Sequence, residues 1–156
     1  PKLTHGVFAY DYGDSSGFTP AMKMYTLGHS FIPEGTHAGG LRYHGASPIV
    51  SAIVKEGLAE TAVVKQREVF DAAIKFTKCE GILPAPESAH AIKVAIDEAL
   101  KAKEEGISKT ILFNLSGHGH FDLSAYEHAL AGDLGDCNYS KEEVEKNLKF
   151  LPEVKL

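Results

Sequence analysis

Apolar and polar positions after residue 47 follow patterns that are typical of alternating helices and short strands. Ser47 and Pro48 form a helix start, because a serine side chain can cap a helix and proline suits the first helical turn. The apolar residues of the following segment predict a helix over 48–56 that ends before Gly57.

A strand and a longer helix are predicted next. The run TAVVKQ, residues 61–66, is rich in β-branched residues and is bounded by polar ones, which favours a strand. The segment 68–81 repeats apolar residues at helical spacing and stops at Gly81, so it predicts a helix. The apolar face of this helix consists of Phe70, Ala73, Ile74 and Thr77.

The next two predicted elements come in the opposite order, a helix followed by a strand. A helix that continues up to Gly106 is predicted, because its apolar residues recur at helical spacing opposite lysines and glutamates. Residues 109–115, KTILFNL, form a continuous apolar run of strand length, which is typical of a buried parallel strand. The apolar face of the helix consists of Ile92, Ala95, Ile96, Ala99 and Leu100.

Two further helices are predicted near the end of the chain. Asp122 can cap a helix through LSAYEHALAG, and Gly132 is its stop signal. The segment SKEEVEKNLKF, residues 140–150, predicts a polar terminal helix.

These elements predict an α/β fold in which helices flank a parallel sheet. We expect residues 48–135 to form this α/β portion and residues 136–156 to form a tail that carries the polar helix. Residues 1–47 are rich in glycine and aromatic residues but show no long clean period. We therefore expect them to be irregular and to pack against another part of a larger fold.

Composition and charge narrow the function classes. The 156 residues are 44% hydrophobic and 24% charged, which is typical of one globular unit. A net charge of −5, with scattered basic residues, argues against nucleic acid or an anionic membrane as a partner. No apolar run approaches the roughly 20 residues that a membrane span needs, and the start of the chain has no signal-peptide pattern.

Cysteine usage points to a reducing compartment. Cys79 and Cys137 do not indicate a disulfide framework, because Cys79 falls inside a helical pattern. We therefore expect a cytoplasmic location. The chain begins at Pro1, without an initiator methionine.

The segment NLSGHGHFD, residues 114–122, has three interpretations. His118 and His120 could bind a metal, although neither an HExxH motif nor a paired CxxC motif accompanies them. The glycines could form a phosphate loop, but the Walker lysine and the GxGxxG spacing are absent. The third interpretation is a tight glycine turn with exposed histidines.

Two more corners combine polar residues with turn-forming ones. In EGILPAPESAHA, residues 80–91, two prolines fix the backbone and Glu87 starts a helix, where a carboxylate is commonly favourable. In HAGGLRYHG, residues 37–45, Arg42 follows two glycines and would be solvated if this were only a flexible loop. With residues 114–122, these corners would line one edge of the sheet, where a pocket is expected.

Taken together and in order, these segments resemble the C-terminal part of the second, divergent class of tryptophan synthase beta chains. The resemblance implies two α/β domains with pyridoxal phosphate between them. It also implies a pyridoxal-phosphate-dependent lyase of tryptophan biosynthesis, in which indole replaces the side-chain hydroxyl of serine to give L-tryptophan. The resemblance covers most of the region from Gly6 to Gly132. The matching motifs in this region are VFAYDYGD, MKMYTLGH, HAGGLRYHG, EGILPAPESAHA and LFNLSGHGHFD.

The resemblance also implies what this chain lacks. Members of the family carry the Schiff-base lysine, the catalytic glutamate and a glycine-rich phosphate loop upstream of the matched motifs, and none of these matches a segment here. We therefore expect a C-terminal portion without catalytic residues of its own, inactive as an isolated fragment and partnered by the missing N-terminal portion. The complete enzyme is expected to be a homodimer that uses indole with serine or O-phosphoserine.

By the resemblance, Ser116 faces the pyridine nitrogen of the cofactor, to which its hydroxyl can donate a hydrogen bond without transferring a proton. The nitrogen then stays largely neutral, which weakens the ring as an electron sink and favours loss of the β-substituent over transamination. Gly117 and Gly119 would let the backbone approach the ring. Glu87 would lie beside the cofactor in a tuning or positioning role, and His90 would orient that corner.

The motif HAGGLRYHG contains the other residues that the resemblance assigns. Arg42 stands where the main class has an aspartate that addresses the substrate hydroxyl, so we expect different handling of the leaving group. The carbonyls of Tyr43 and Gly45 match positions that bind a monovalent cation in the main class. His118 and His120, in the other motif, replace charged residues of the main class.

Two other function classes stay open from the residues alone. A metal-dependent hydrolase would use the histidine cluster and would contain stoichiometric metal. A non-catalytic interaction module would show no cofactor dependence, even when combined with a missing N-terminal part.

Overall fold

A computed structural model of the chain describes residues 2–136 and 140–154. These residues divide into two compact units, which we treat separately. The first unit contains the described residues of ranges 1–34, 42–63 and 138–156. The second unit contains those of ranges 35–41 and 64–137.

The first unit is built on two antiparallel strands. Strand β1 pairs with β2 in a register that runs from Val7 opposite Thr26 to Asp11 opposite Met22. Leu27, Phe31 and Val144 form a small apolar core in this unit. Its elements are helix α1 (Lys2–His5), β1 (Val7–Asp11), β2 (Met22–Thr26), helix α2 (Pro48–Lys55) and helix α6 (Lys141–Leu148).

The strands β1 and β2 correct the expectation that residues 1–47 are irregular. Each strand has only five residues, which is too short for a clean period of two to stand out. Their burial also fails to alternate, because the middle three residues of β1 are all partly buried. The strand signal is therefore weak in the sequence, although β-favouring residues are present in VFAYD and MKMYT.

The second unit consists of helices that enclose a larger apolar core. Phe70 and Ala73 of α3 are 2% and 0% exposed, and the partly buried Ile74 packs against the same core, so the predicted face of this helix is buried. The elements are a 3-10 turn (Gly39–Leu41) and helices α3 (Gln66–Glu80), α4 (Pro86–Glu104) and α5 (Leu123–Ala131). The core consists of Val69, Phe70, Ala73, Ala89, Ala125, Tyr126 and Leu134.

All five helices predicted after residue 47 are confirmed, with small differences at their ends. Gly81 and Gly132 end α3 and α5 with φ of 70° and 80°, a left-handed conformation that glycine adopts without strain. Ser47 and Asp122 occupy the N-cap positions of α2 and α5, but neither side chain makes a capping hydrogen bond.

The two predicted strands are not formed within the described residues. Residues 61–65 have no strand pairing, and Gln66 already begins α3. Residues 109–115 also have no strand pairing, and Leu112, predicted to be buried, is 93% exposed. A strand needs a neighbouring strand to accept and donate its backbone hydrogen bonds. In the described part of the chain the sheet consists of β1 and β2, and neither pairs with residues 61–65 or 109–115. A parallel sheet is therefore not present in the part of the chain that the structure describes.

Two further expectations concern the whole chain. Among residues 2–136 and 140–154, no helix has the length and apolar character that crossing a membrane requires. Cys79 is a free, exposed thiol. Cys137 and Pro1 lie outside the described residues.

Candidate functional site

The first turn of α4 and the loop before it form a corner that organises the second unit. We call residues 83–90 the α4 corner. The backbone N–H of Gly119 donates a hydrogen bond of 2.9 Å to the carbonyl of Leu83. The Tyr126 hydroxyl donates one of 2.6 Å to the carbonyl of Pro84. The α4 corner is thus hydrogen-bonded both to the glycine turn after Ser116 and to helix α5.

Tyr126 is suited to this anchoring role over a wide pH range. Burial, aided by the negative charge of Asp122, raises the pKa of Tyr126 to about 12. The hydroxyl therefore keeps its proton at neutral pH and remains a donor to Pro84. Its ring also packs edge-on against Phe70 at a centroid distance of 5.1 Å, which ties the corner to the apolar core.

Ser116 lies on an exposed turn whose backbone is held by Ser88. The Ser88 hydroxyl donates a hydrogen bond of 2.6 Å to the carbonyl oxygen of Ser116. The same hydroxyl accepts one of 3.2 Å from the backbone N–H of Ser116. Ser88 is only 6% exposed, whereas Ser116 is exposed. Sequence reasoning missed Ser88, although its place next to Glu87 in the first turn of a helix was a usable signal.

Two glycines shape the turn after Ser116. Gly117 has φ of 69°, in the left-handed region that disfavours other residues. Gly119 is buried, and a Cβ atom there would lie 2.5 Å from the carbonyl oxygen of Pro84. The glycines are therefore required by backbone conformation at one position and by close packing at the other.

Glu87 connects the same corner to a second loop. Its carboxylate accepts a hydrogen bond of 2.8 Å from the backbone N–H of Gly40. Glu87 also lies in the first turn of α4, where a negative charge is favourable. His90 donates from Nδ1 to the carbonyl of Pro86 at 2.8 Å, which fixes its ring on the corner. The structure thus brings Glu87, Ser116 and Gly117 together around one helix start.

Arg42, Tyr43 and Gly45 belong to the first unit. Arg42 is exposed, and its Nη2 donates a hydrogen bond of 3.3 Å to the carbonyl of Pro33. Tyr43 is 62% exposed, and the Lys2 ammonium lies 5.6 Å from the centroid of its ring. Gly45 forms an isolated antiparallel bridge with Thr26 at the end of β2.

His118 and His120 lie side by side on the exposed face of the glycine turn. Their ring centroids are 5.0 Å apart, and the backbone N–H of His120 donates to Nδ1 of His118 at 3.2 Å. The Phe121 ring lies 5.1 Å from that of His118. Within the described residues, no group of three or more histidine, cysteine, aspartate or glutamate side chains could hold a metal ion.

A buried carboxylate in the first unit was not found from the sequence. Asp11 is fully buried and accepts hydrogen bonds from the Thr26 hydroxyl at 2.6 Å and from Nδ1 of His29 at 2.7 Å. The backbone N–H of Tyr12 is a third donor, at 2.8 Å. Thr26 in turn accepts from the backbone N–H of Gly28. These bonds join the ends of β1 and β2 to the following loop.

The second unit also contains an open depression with a volume of about 400 Å³. Gln66 spans it, accepting from the backbone N–H of His37 at 2.8 Å and donating to the carbonyl of Gly135 at 2.7 Å. None of the site residues predicted from the sequence lines this depression. Its lining consists of Gly35, His37, Gln66, His128, Asp133, Leu134, Gly135 and Asp136.

Comparison with known proteins gives clear relatives. No protein-family model matches the chain. The chain is 60% identical over 134 residues to tryptophan synthase beta chain 2 of Methanosarcina acetivorans and 62% identical over 136 residues to that of Aquifex aeolicus. It is 58% identical over 144 residues to tryptophan synthase beta chain of Thermococcus onnurineus. These matches cover 86%, 87% and 92% of this chain but 30%, 31% and 32% of the respective relatives.

Proposed function

We propose that this chain, a homologue of the tryptophan synthase beta chains over about 30% of their length, forms the C-terminal part of a pyridoxal-phosphate enzyme that makes L-tryptophan. The substrates of the complete protein are indole and either serine or O-phosphoserine. The rest of the polypeptide supplies the Schiff-base lysine and the phosphate-binding loop. The chain described here supplies the residues that contact the pyridine ring of the cofactor.

The observation that carries this proposal is the position of Ser116 on an exposed turn whose backbone is fixed by Ser88. A hydroxyl is a neutral donor, which suits a pyridine nitrogen that is to remain unprotonated. The Ser116 hydroxyl lies 3.4 Å from the Ser88 hydroxyl, which is long for an O–H···O hydrogen bond, so it can turn toward a ligand. A Cβ on the adjacent Gly117 would meet only the Cβ of Ala85, at 3.4 Å, which leaves the outer side of the turn open to a flat ring. The residues present therefore fit the ring of pyridoxal phosphate.

In the proposed reaction, bound pyridoxal phosphate supplies an electron sink for the bond changes at serine. Ser116 holds the ring nitrogen and, as a neutral donor, does not protonate it. Glu87 retains the loop at Gly40 through its 2.8 Å hydrogen bond and thereby positions that loop beside the ring. The buried Tyr126 donates a hydrogen bond to the carbonyl of Pro84 and so holds the α4 corner in place. The glycine turn is hydrogen-bonded to the same corner through Gly119 and Leu83.

A parallel sheet in the complete protein would account for the exposed apolar run at residues 109–115. Leu112 and Leu115 are 93% and 37% exposed in this chain, although the run is composed like a buried strand. Strands from the remainder of the polypeptide would pair with this segment and cover it. We likewise propose that residues 1–47 pack on the upstream part, that residues 48–135 belong to the α/β portion, and that residues 136–156 form its tail.

Further properties of the complete protein are part of the proposal. We propose that the complete protein forms a homodimer. The exposed free thiol of Cys79 suits a reducing cytoplasm, which is the proposed location. The carbonyls of Tyr43 and Gly45 are proposed ligands of a monovalent cation. This proposal is supported by the motif HAGGLRYHG, which contains both residues together with Arg42.

The experiment for this proposal uses the full-length polypeptide that contains this chain. With pyridoxal phosphate, it should form tryptophan from serine or O-phosphoserine and indole. Borohydride reduction followed by peptide mapping should label one lysine outside the present 156 residues. A single, stoichiometrically labelled lysine within these residues would overturn the division of roles proposed here.

Arg42 leads to a prediction about the leaving group. A guanidinium binds phosphate with two parallel hydrogen bonds, and Arg42 is exposed with one contact at 3.3 Å to Pro33. We expect Arg42→Asp to lower the turnover of O-phosphoserine relative to serine by about tenfold, equivalent to ~1.4 kcal/mol. The ratio of the two kcat/KM values measures this effect. An unchanged ratio would show that Arg42 does not address the leaving group.

A further inference from the structure

Ser88 is a buried residue that touches the proposed cofactor residue but is not assigned by the homology. Its hydroxyl oxygen takes part in hydrogen bonds with both the carbonyl and the N–H of Ser116, at 2.6 and 3.2 Å. A hydroxyl has one proton and two lone pairs. Because the proton is used on the Ser116 carbonyl, the oxygen is an acceptor toward the Ser116 N–H. One side chain thus fixes two backbone atoms of one residue.

We propose that Ser88 is a positioning residue, which holds the backbone of Ser116 so that the Ser116 hydroxyl points at the ring nitrogen of the cofactor. This role rests on the proposed function of Ser116. The Ser116 hydroxyl is 3.4 Å from that of Ser88, which is too long for a strong O–H···O bond. The proton of Ser116 therefore stays available to a ligand on the exposed side of the turn.

The place of Ser88 in α4 strengthens this role. Glu87 and Ser88 are consecutive in the first turn of α4, and they hold two different loops, at Gly40 and at Ser116. Ala89, the next residue, is fully buried in the apolar core. The start of α4 is therefore held in place by its contacts. Through its two hydrogen bonds, Ser88 holds the backbone of Ser116 at a fixed position relative to this helix start.

The first measurement is hydrogen exchange at the Ser116 amide in the full-length protein without cofactor. Ser88→Ala removes the acceptor of this N–H, and we expect exchange to accelerate by about tenfold, while Ser88→Thr, which keeps the hydroxyl, stays within about twofold of the wild type. Ser108→Ala, at an exposed position of the same unit, is the matched control and should leave this amide unchanged. Unchanged exchange in Ser88→Ala would overturn the proposed positioning.

The second measurement is the dissociation constant of pyridoxal phosphate, determined by equilibrium dialysis. Ser88→Ala should weaken binding about fivefold, the effect of about one hydrogen bond. If Ser88 acts through Ser116, adding Ser88→Ala to Ser116→Ala should cause almost no further loss. Full additivity of the two changes would contradict the positioning role, because a merely structural serine would act independently of the Ser116 hydroxyl.

Two controls separate the possible failures. Should Ser88→Ala not fold, Ser88→Cys retains the shape with a weak S–H donor, and it should change exchange and binding in the same direction by a smaller factor. No change in Ser88→Cys would then overturn the role. Failure of the wild-type protein to bind pyridoxal phosphate would overturn the proposed function itself, while the exchange rates would still report whether Ser88 holds Ser116.

Discussion

Replacing Gly119 by alanine is expected to destabilise the second unit by about 3 kcal/mol, from overpacking and a weakened hydrogen bond. The new Cβ would lie 2.5 Å from the carbonyl oxygen of Pro84 and 2.9 Å from Cε2 of Tyr126. Neither neighbour can yield easily, because the Tyr126 hydroxyl is bonded to that same carbonyl and Tyr126 is 5% exposed. Moving the turn instead would break the 2.9 Å hydrogen bond from Gly119 to Leu83.

The effect can be measured by urea unfolding of the full-length protein and by hydrogen exchange of the Gly119 amide. Gly35→Ala is the matched control, because a Cβ at Gly35 meets no atom within 4 Å and its φ is not in the left-handed region. We expect the control to change the free energy of unfolding by less than about 0.5 kcal/mol. If Gly119→Ala is as mild as Gly35→Ala, the turn is not packed against the α4 corner as described.

The helices were predictable because their signals are local. Periodic apolar residues identify α3, and Gly81 marks its end by a conformation that few other residues accept. Helix α4 was predicted for the same reason, but only the first part of its apolar face is covered: Ile92 is 1% exposed and Leu100 is 53% exposed. Periodicity therefore predicts which face is apolar, but it does not predict what covers that face.

The strands were less predictable because pairing is not local. The run at 109–115 has the composition of a buried strand, yet it has no strand partner within the described residues. In contrast, β1 and β2 pair although neither has a clear alternating pattern. Strand formation depends on the surface that a segment meets as well as on its own residues.

The candidate site was partly predictable from motifs. Glu87, Ser116 and Gly117 come from two separated motifs, and the structure brings them to one corner of the second unit. Ser88 was missed because its importance lies in a contact with a residue 28 positions away. The Asp11 network was missed for the same reason, since its partners Thr26 and His29 lie 15 and 18 positions away.

Replacing Ser116 by aspartate is expected to change the outcome of the reaction by a large factor. A carboxylate within hydrogen-bonding distance raises the pKa of a basic nitrogen, by about 1–3 units for a close opposite charge. The ring nitrogen would then be protonated, and the ring would become a stronger electron sink. We expect loss of the β-substituent to slow and the share of turnovers that end in transamination to rise by at least about tenfold.

Ser116→Ala is the matched control for this substitution. It removes a neutral hydrogen bond worth about 1 kcal/mol and adds no charge. We expect it to weaken cofactor binding about fivefold without favouring transamination. The contrast between alanine and aspartate therefore separates the charge at this position from the mere loss of the hydroxyl.

The measurement that tests the central claim most directly is the ratio of pyridoxamine phosphate to tryptophan that each full-length variant forms from serine and indole. If Ser116 holds the ring nitrogen as a neutral donor, this ratio stays low in the wild type and in Ser116→Ala and rises at least about tenfold in Ser116→Asp. An unchanged ratio in a folded, cofactor-loaded Ser116→Asp protein would contradict the claim. The turn at Ser116 would then be a tight glycine turn with no contact to the ring nitrogen.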